Sequence, residues 1–501
     1  MLFPAVHKLA AIQKEFARII PNLPDAHQAG SPAQVIEACL KMLYWREHQN
    51  LAFIEKQEAT LAATLNDAVV LLNNDGRVSA ALVQPFEQLR KALLHHNEER
   101  CLSAREEQWR QNLVTLEQAL VAVAAADEVS EATRHSLAGI MGRWEAKDLQ
   151  EHMNTPDRME ESDTSATDID TDQWQSYLRE RFSEADLIVT EFKSLSGGFG
   201  KQTILFSASG KALDGDYVIR RDYTSDGLEN DCHTVDKEYA VIRAVHASGF
   251  PAPDALWLDT DHPQLPGGDF IVMRRSPGET GGTVFSSHQA VSEKLVDTLA
   301  LACAQLHSLP PLTSLGNLTS SICLKSWQNS TQEVVHEYID EWYRMYLSSD
   351  HTPSPALACL YGWLLDNIPQ VDGNPVLLHG DIGFQNMLLV KGDLSCLVDW
   401  EFVHVGDPAE DLAYIKNTVG HLLDWDRFMT SYTRESGFDI DEKRLRYFQI
   451  WGQVRNATAA NIMSTLFARG EAEELKLAVL PFTYISQFID AAQQLIEQYE
   501  H

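Results

Sequence analysis

The sequence reads as an α+β chain in four parts. An all-α helical domain covers residues 1–150, an acidic linker 151–174, a small antiparallel-sheet lobe 175–275, and a mainly helical lobe 276–501. Three observations carry that reading. The first 150 residues place aliphatic side chains at helical spacing with few glycines. The stretch from Glu151 to Gln173 has almost no apolar side chains. Short β-prone runs begin only at Leu187, and the chain turns mainly helical again from about residue 287.

In the first part, Leu9, Ile12, Phe16, Ile19 and Ile20 recur at helical spacing, as do Val35, Ile36, Leu40, Leu43, Leu51 and Ile54. Gly76, after Asn73-Asn74-Asp75, ends that segment, and further helical patterns cover 79–97, 102–126 and 130–149. The aliphatic stripe is the core of a bundle, and it also suits a homodimer or protein contact through residues 1–150. His48, His95 and His96 sit among helix formers and read as solvated or capping groups. The acidic stretch 151–174 cannot bury enough surface to fold by itself, which makes it a linker. The runs 187–190, 203–206, 217–219 and 270–273 are strands, with a helix around Val235 to His246 between the last two. Residues from about 440 to 500 form amphipathic helices.

Composition bounds the function. The chain has 501 residues, 44% hydrophobic and 22% charged, enough for two to four globular domains. No run of 18 apolar residues exists, so no membrane span is expected. The N-terminus lacks a basic segment followed by an apolar block, so a cytoplasmic location is expected. Cys39, Cys101, Cys232, Cys303, Cys323, Cys359 and Cys396 are scattered with no C-x-x-C pair, which reads as reduced thiols. A formal net charge of -32 argues against nucleic acid and anionic membrane surfaces as partners.

The chemistry is concentrated in His379-Gly380-Asp381-Ile382-Gly383-Phe384-Gln385-Asn386 and Val398-Asp399-Trp400-Glu401. An Asp is followed five positions later by Asn, and 18 positions later by a second Asp. Phosphoryl transfer from a nucleotide needs a carboxylate that orients and receives the proton of the attacking hydroxyl. It also needs an amide oxygen and a second carboxylate for the divalent metal that bridges the phosphates. The spacing matches the protein-kinase catalytic loop, with Gly380 where that loop has Arg.

The nucleotide-holding parts precede it. Ser196-Gly197-Gly198-Phe199-Gly200-Lys201 joins two of the expected strands and can bring backbone amides to phosphate oxygens. It is not a Walker A loop, because Lys201 is followed by Gln202 and the segment does not open a helix. Arg220, at the end of a strand, is the candidate phosphate cation, and Glu238 on the following helix is its partner. Arg221 should point to the opposite face. Met273 lies on the strand that leads to an adenine-binding hinge.

Residues 175–500 resemble the aminoglycoside phosphotransferase and choline kinase-like phosphotransferase family. The resemblance rests on Ser196-Gly197-Gly198, Val218-Ile219-Arg220, Glu238, His379-Gly380-Asp381 with Asn386, Asp399-Trp400-Glu401, and Gly406-Asp407-Pro408-Ala409-Glu410-Asp411-Leu412. It implies a protein-kinase-like two-lobed fold and transfer of the γ-phosphate of ATP or GTP to a hydroxyl of a small molecule, with Mg2+. On that resemblance Asp381 is the catalytic base, Asn386 and Asp399 hold the metal, and His379 orders the loop. Ser196, Gly197, Gly198, Gly200, Lys201, Arg220, Glu238 and Met273 hold the nucleotide. Asp407 and Asp411 buttress the loop, and Glu401 meets substrate or metal-bound water. Trp425, Tyr432, Trp451 and Arg455 follow in sequence where the acceptor wall should form, and each reads as packing ahead of recognition. Family acceptors include antibiotics, choline, sugars and hydroxyacyl thioesters, so a hydroxyacyl-CoA kinase is an alternative. A kinase-like domain that binds nucleotide without chemistry is another. The first 150 residues lie outside the resemblance.

Overall fold

The computed structural model describes residues 54–94, 102–152, 169–195, 201–222, 234–282 except 267, 291–312, 327–468 except 372, and 484–499. The helical patterns over 1–53, His48, His95 and His96, most of the acidic stretch, and Ser196, Gly197, Gly198 and Gly200 lie outside the described residues.

The chain opens with helices α1 (residues 54–74), α2 (Ala80–Leu94), α3 (Leu102–Ala124), α4 (Glu131–His152) and α5 (Thr171–Phe182). Strands β1 (Ile188–Leu195), β2 (Lys201–Ser209) and β3 (Asp214–Asp222) follow, then α6 (Val235–Ala247), β4 (Ala255–Asp259), β5 (Phe270–Arg274) and β6 (Glu279–Thr280). The helical continuation is α7 (Glu293–His307), α8 (Thr331–Ser348) and α9 (Pro355–Asp366), interrupted by β7 (Val376–Leu378), β8 (Met387–Val390), β9 (Asp393–Leu397) and β10 (His404–Gly406). It closes with α10 (Ala409–Thr418), α11 (Trp425–Ser436), α12 (Glu442–Ala468) and α13 (Ser486–Tyr499). None of the described helices is long and apolar enough to cross a membrane.

These elements fall into two compact units. One gathers Met1–Glu160, Tyr346–Ile368 and Gln453–His501; the other gathers Glu161–Met345 and Pro369–Gly452. The first unit is helical, with a core of Leu61, Leu65, Leu72, Phe86, Leu120 and Met141. It also needs α9, whose residues Pro355 to Leu364 are all buried. A helix with no wet face must be surrounded, and Ala358 and Cys359 join the same core as the N-terminal helices. Carboxylates from α3 and α4 close its N-terminus: Ser354 N donates to Glu117 Oε1 at 2.9 Å and Ala356 N to Glu145 Oε2 at 2.7 Å. The helical unit is therefore assembled from separated stretches of chain, not from residues 1–150 alone.

The second unit holds the sheet, with strand order β1-β2-β3-β5-β4 and every neighbouring pair antiparallel. One face carries an aromatic core of Trp174, Tyr177, Phe206, Tyr217 and Phe270 under α5. Helix α5 starts within the acidic stretch, fixed by a capping box in which Gln173 N donates to Asp170 Oδ1 at 2.7 Å and Asp170 N to Gln173 Oε1. Tyr217 and Ile219 belong to that core, so strand alternation sends Val218 and Arg220 to the other face. The register puts Thr203 and Ile271 opposite Arg220, and Met273 opposite Val218. Lys201, two residues from Thr203, shares that face as well. Arg221, on the opposite face from Arg220, is buried. β4 was not foreseen from the sequence, and the other strands extend beyond the apolar runs that announced them.

Candidate active site

The site is assembled where β7 ends. The chain leaves Leu378, passes through His379-Gly380-Asp381, and forms a 3₁₀ turn over Phe384–Asn386 before entering β8. The reversal is tight because Gly380 adopts φ +79°, and a Cβ there would lie 2.3 Å from the carbonyl oxygen of Phe402. Only glycine satisfies both demands, which is why this loop cannot carry the Arg of a protein-kinase loop. Gly380→Ala is expected to cost at least ~2 kcal/mol of stability and to displace Asp381. Thermal melting and a phosphate-transfer assay check this; a variant with the wild-type melting temperature refutes the geometric account.

Two groups fix the loop from below. The buried Asp411, in the first turn of α10, accepts His379 N at 2.9 Å and Gly380 N at 2.8 Å. Its Oδ2 also meets His307 Nε2 at 3.2 Å, while His307 Nδ1 lies 2.9 Å from Tyr432 Oη. Burial opposes the charge on Asp411, but the His307 contact, the nearby His379 ring and the donated His379 amide outweigh it and hold the pKa below the ordinary value. His379 itself is fully engaged. Its Nε2 lies 3.0 Å from the Val398 carbonyl, which can only accept, so Nε2 carries the proton. Nδ1 then accepts from Asp381 N at 3.3 Å. The ring orders the loop and has no nitrogen left for proton transfer.

Asp381, Asn386 and Asp399 converge. Asn386 Nδ2 donates to the Asp381 carbonyl at 2.8 Å and to Asp381 Oδ2 at 2.9 Å. Val398 N donates to the Asn386 carbonyl at 2.8 Å, which sets Asp399 beside the same turn. Asp399 is one of the non-glycine residues with positive φ, at +69°. From the sheet, Arg220 Nε donates to Glu238 Oε2 at 3.0 Å, tying β3 to α6. Arg220 Nη2 reaches Asp399, and also Glu401 Oε2 at 3.2 Å.

Burial alone would lower the Arg220 pKa, but Asp399, Glu238 and Glu401 together keep it above the ordinary value. Burial pushes Glu401 up, and the Asp399 charge adds to the rise; Arg220 and Lys201 pull the other way, leaving it at about 8. Burial is the larger cause, and the neighbouring charges, the cations Arg220 and Lys201 against the carboxylates Asp399 and Glu238, come after it. Lys201, buried at the start of β2, is close enough for its charge to be felt at Glu401.

The donor set fits a hard divalent cation. Asn386 spends its amide nitrogen on Asp381, so its amide oxygen is the atom that would meet a metal, and Asp399 would add a carboxylate. Among the described residues no group of three or more His, Cys, Asp or Glu side chains could hold a metal. Two oxygen ligands suit Mg2+, which keeps waters and substrate phosphate oxygens in its remaining positions.

A model of the "phosphotransferase enzyme family" matches residues 191–448. The chain belongs to that family. The sheet order, the Arg220–Glu238 pair and the loop between β7 and β8 give this phosphotransferase the kinase-like α+β fold. Among curated relatives, acyl-CoA dehydrogenase family member 11 of Gallus gallus is 30% identical over 225 residues, covering 44% of this chain and 27% of that protein. The chain thus spans less than a third of that relative's length. Hygromycin-B 4-O-kinase of Escherichia coli is 22% identical over 267 residues, covering 51% of this chain and 68% of the kinase. A solved macrolide 2′-phosphotransferase from Brachybacterium faecium superposes with a TM-score of 0.41 at 17% identity, covering 62% of this chain and 98% of that one.

Sequence reasoning missed His307 and its pairing with Tyr432. The available signal was a histidine closing an apolar helix, Leu299 to Leu306, which by itself reads as an ordinary core residue. It also missed the buried trio in which Glu410 accepts Trp451 Nε1 at 2.8 Å and meets His404 Nε2 at 3.2 Å. Trp451 and Tyr432 are packed inside, and Trp425 stacks on Phe428. Asp407 is bound by Arg444 Nε and Nη2, at distances down to 2.6 Å, and so anchors α12 to the start of α10. Met273 lies on the Arg220 face of the sheet.

Proposed function

We propose that this phosphotransferase moves the γ-phosphate of ATP or GTP onto a hydroxyl of a small molecule. The observation that carries the reading is the meeting of Asp381, Asn386 and the Val398-Asp399 segment in one turn, faced by Arg220. Asp381 orients the acceptor hydroxyl and takes its proton. The acceptor oxygen forms a bond to the γ-phosphorus, and the bond from that phosphorus to the bridging oxygen breaks. The electron pair stays on the nucleoside diphosphate, and Asp381 passes the proton to water. Arg220 and Lys201 offset phosphate charge, and Ser196, Gly197, Gly198 and Gly200 are the residues assigned to hold the phosphates. Met273 faces the base, with Glu238 holding Arg220 in place. Mg2+ held by Asn386 and Asp399 would supply further charge neutralisation on the triphosphate.

A hydroxyacyl thioester is the acceptor class we favour, because acyl-CoA dehydrogenase family members match 44% and 46% of this chain. The test is transfer from γ-labelled Mg-ATP and Mg-GTP to hydroxybutyryl-CoA, choline, hygromycin B and viomycin. Labelled hydroxybutyryl-CoA supports the thioester reading, and labelled hygromycin B or viomycin replaces it with an antibiotic kinase. Stabilisation by Mg-ATP with no labelled product from any of these points to a nucleotide-binding protein without chemistry.

A further inference from the structure

The buried trio of Trp451, Glu410 and His404 has no part in the mechanism above, yet it ends on the catalytic loop. His404 opens β10 and pairs with Leu378, the last residue of β7 before His379-Gly380-Asp381. Its ring is buried and lies flat on Tyr338 of α8, with centroids 3.9 Å apart and planes 13° apart. Nδ1 is 2.9 Å from the carbonyl oxygen of Phe402. A carbonyl oxygen can only accept, so Nδ1 carries a proton and donates. Nε2 lies 3.2 Å from Glu410 Oε2, and Glu410 Oε1 accepts Trp451 Nε1 at 2.8 Å. The ring is thus clamped at both nitrogens and on one face.

The Phe402 oxygen held by His404 is the same atom that presses on Gly380. A Cβ on Gly380 would lie 2.3 Å from it, so it bears on the residue immediately before Asp381. Gly380 therefore has two supports. Asp411 Oδ1 accepts its N–H at 2.8 Å, and the Phe402 oxygen packs against its Cα. Both supports lead back to the first turn of α10, where Glu410 and Asp411 are neighbours. Asp411 acts directly, and Glu410 acts through His404. A buried carbonyl that loses its donor turns toward another. Turning the Phe402–Val403 peptide would withdraw the wall against which Gly380 rests.

We infer that His404 is a positioning residue for phosphate transfer: its Nδ1 proton fixes the Phe402 carbonyl, and that carbonyl fixes Gly380 and with it Asp381. This rests on the reading of Asp381 as the base. His404 acts through the backbone and not on the reacting atoms. Displacing a catalytic group by about 1 Å can lower the rate by about 10²-fold without weakening substrate binding, so the loss falls on kcat.

The experiment compares the full-length wild type with His404→Asn and His404→Gln. The first keeps an amide N–H near the place of Nδ1 and is too short to reach Glu410. The second carries its amide near the place of Nε2 and lacks the donor to Phe402. Labelled transfer from Mg-ATP to hydroxybutyryl-CoA, choline and hygromycin B is measured, together with Mg-ATP hydrolysis, in which water replaces the acceptor. Thermal melting is followed with and without Mg-ATP. Both variants lose the Tyr338 stacking, so both are expected to melt below wild type and to keep the Mg-ATP shift. His404→Gln is expected to lose about 30-fold or more in kcat with KM for Mg-ATP within about twofold, while His404→Asn stays within about fivefold of wild-type kcat. A packing role would lower both variants together. Equal kcat losses in the two, or none in either, overturn the inference while the kinase reading stands. Loss of the Mg-ATP shift in His404→Gln shows that His404 holds the whole unit rather than the loop, and overturns it as well. A wild type that neither transfers phosphate nor hydrolyses Mg-ATP sinks the kinase reading, and this inference with it.

Discussion

Asp381→Asn is expected to lower phosphate transfer by roughly 10²–10⁴-fold while leaving nucleotide binding largely intact. The substitution keeps shape and hydrogen bonding: Asn386 Nδ2 still finds the Asp381 main-chain carbonyl at 2.8 Å and a side-chain oxygen in the position now 2.9 Å away. What it removes is the basic oxygen proposed to take the hydroxyl proton. His379 cannot substitute, because its Nε2 is committed to the Val398 carbonyl and its Nδ1 to the Asp381 amide. The check is labelled transfer beside the melting shift given by Mg-ATP. Retention of wild-type turnover in Asp381→Asn removes Asp381 from the chemistry. Loss of the Mg-ATP shift as well shows that the carboxylate serves nucleotide binding instead.

Arg220→Met is expected to be the most destabilising single change in the sheet unit, by about 3–5 kcal/mol. Arg220 is buried and is hydrogen-bonded to Glu238, Asp399 and Glu401. Removing it leaves those carboxylates with Lys201 as the nearby cation, so protons must be taken up or water admitted before the cleft can close. Transfer falls with stability, because the same guanidinium is placed to meet phosphate. Arg220→Lys recovers part of the charge and little of the geometry, since one ammonium cannot reproduce a planar fork that serves three acceptors. Denaturant unfolding measures the first effect and the transfer assay the second. A variant within 1 kcal/mol of wild type would mean that the cluster is solvated and that the burial argument is misplaced; this threshold is about a fifth to a third of the expected loss.

The catalytic turn was legible because its information is local. Asp381 and Asn386 are five residues apart, Gly380 marks the reversal, and flanking apolar runs announce β7 and β8. Arg220 and Glu238 were legible for a related reason: a basic residue at the end of a β-prone run precedes a helix whose first turn carries a carboxylate. The start of α5 was also written in the sequence, as Asp170 followed three residues later by Gln173, but the surrounding acidic composition masked it. Packing was the favoured reading of Trp451 and Tyr432, but their partners were not legible. An aromatic residue on an amphipathic helix looks the same whether it lines a pocket or fills a core, and here both side chains are buried among partners far away in the chain.

The sequence by itself determined the family, through residue types held at short spacings that a single turn converts into geometry. Only the tertiary structure decided which charges share a site and which helices complete the helical unit. Arg220 meets Asp399 and Glu401 across 179 and 181 residues of chain. Asp411 clamps His379 from 32 residues away, and Glu117 and Glu145 cap α9 from more than 200. Pairings of that kind leave no periodicity to read. They exist because a buried charge or an orphaned helix end must find a partner wherever the folded chain brings one within reach.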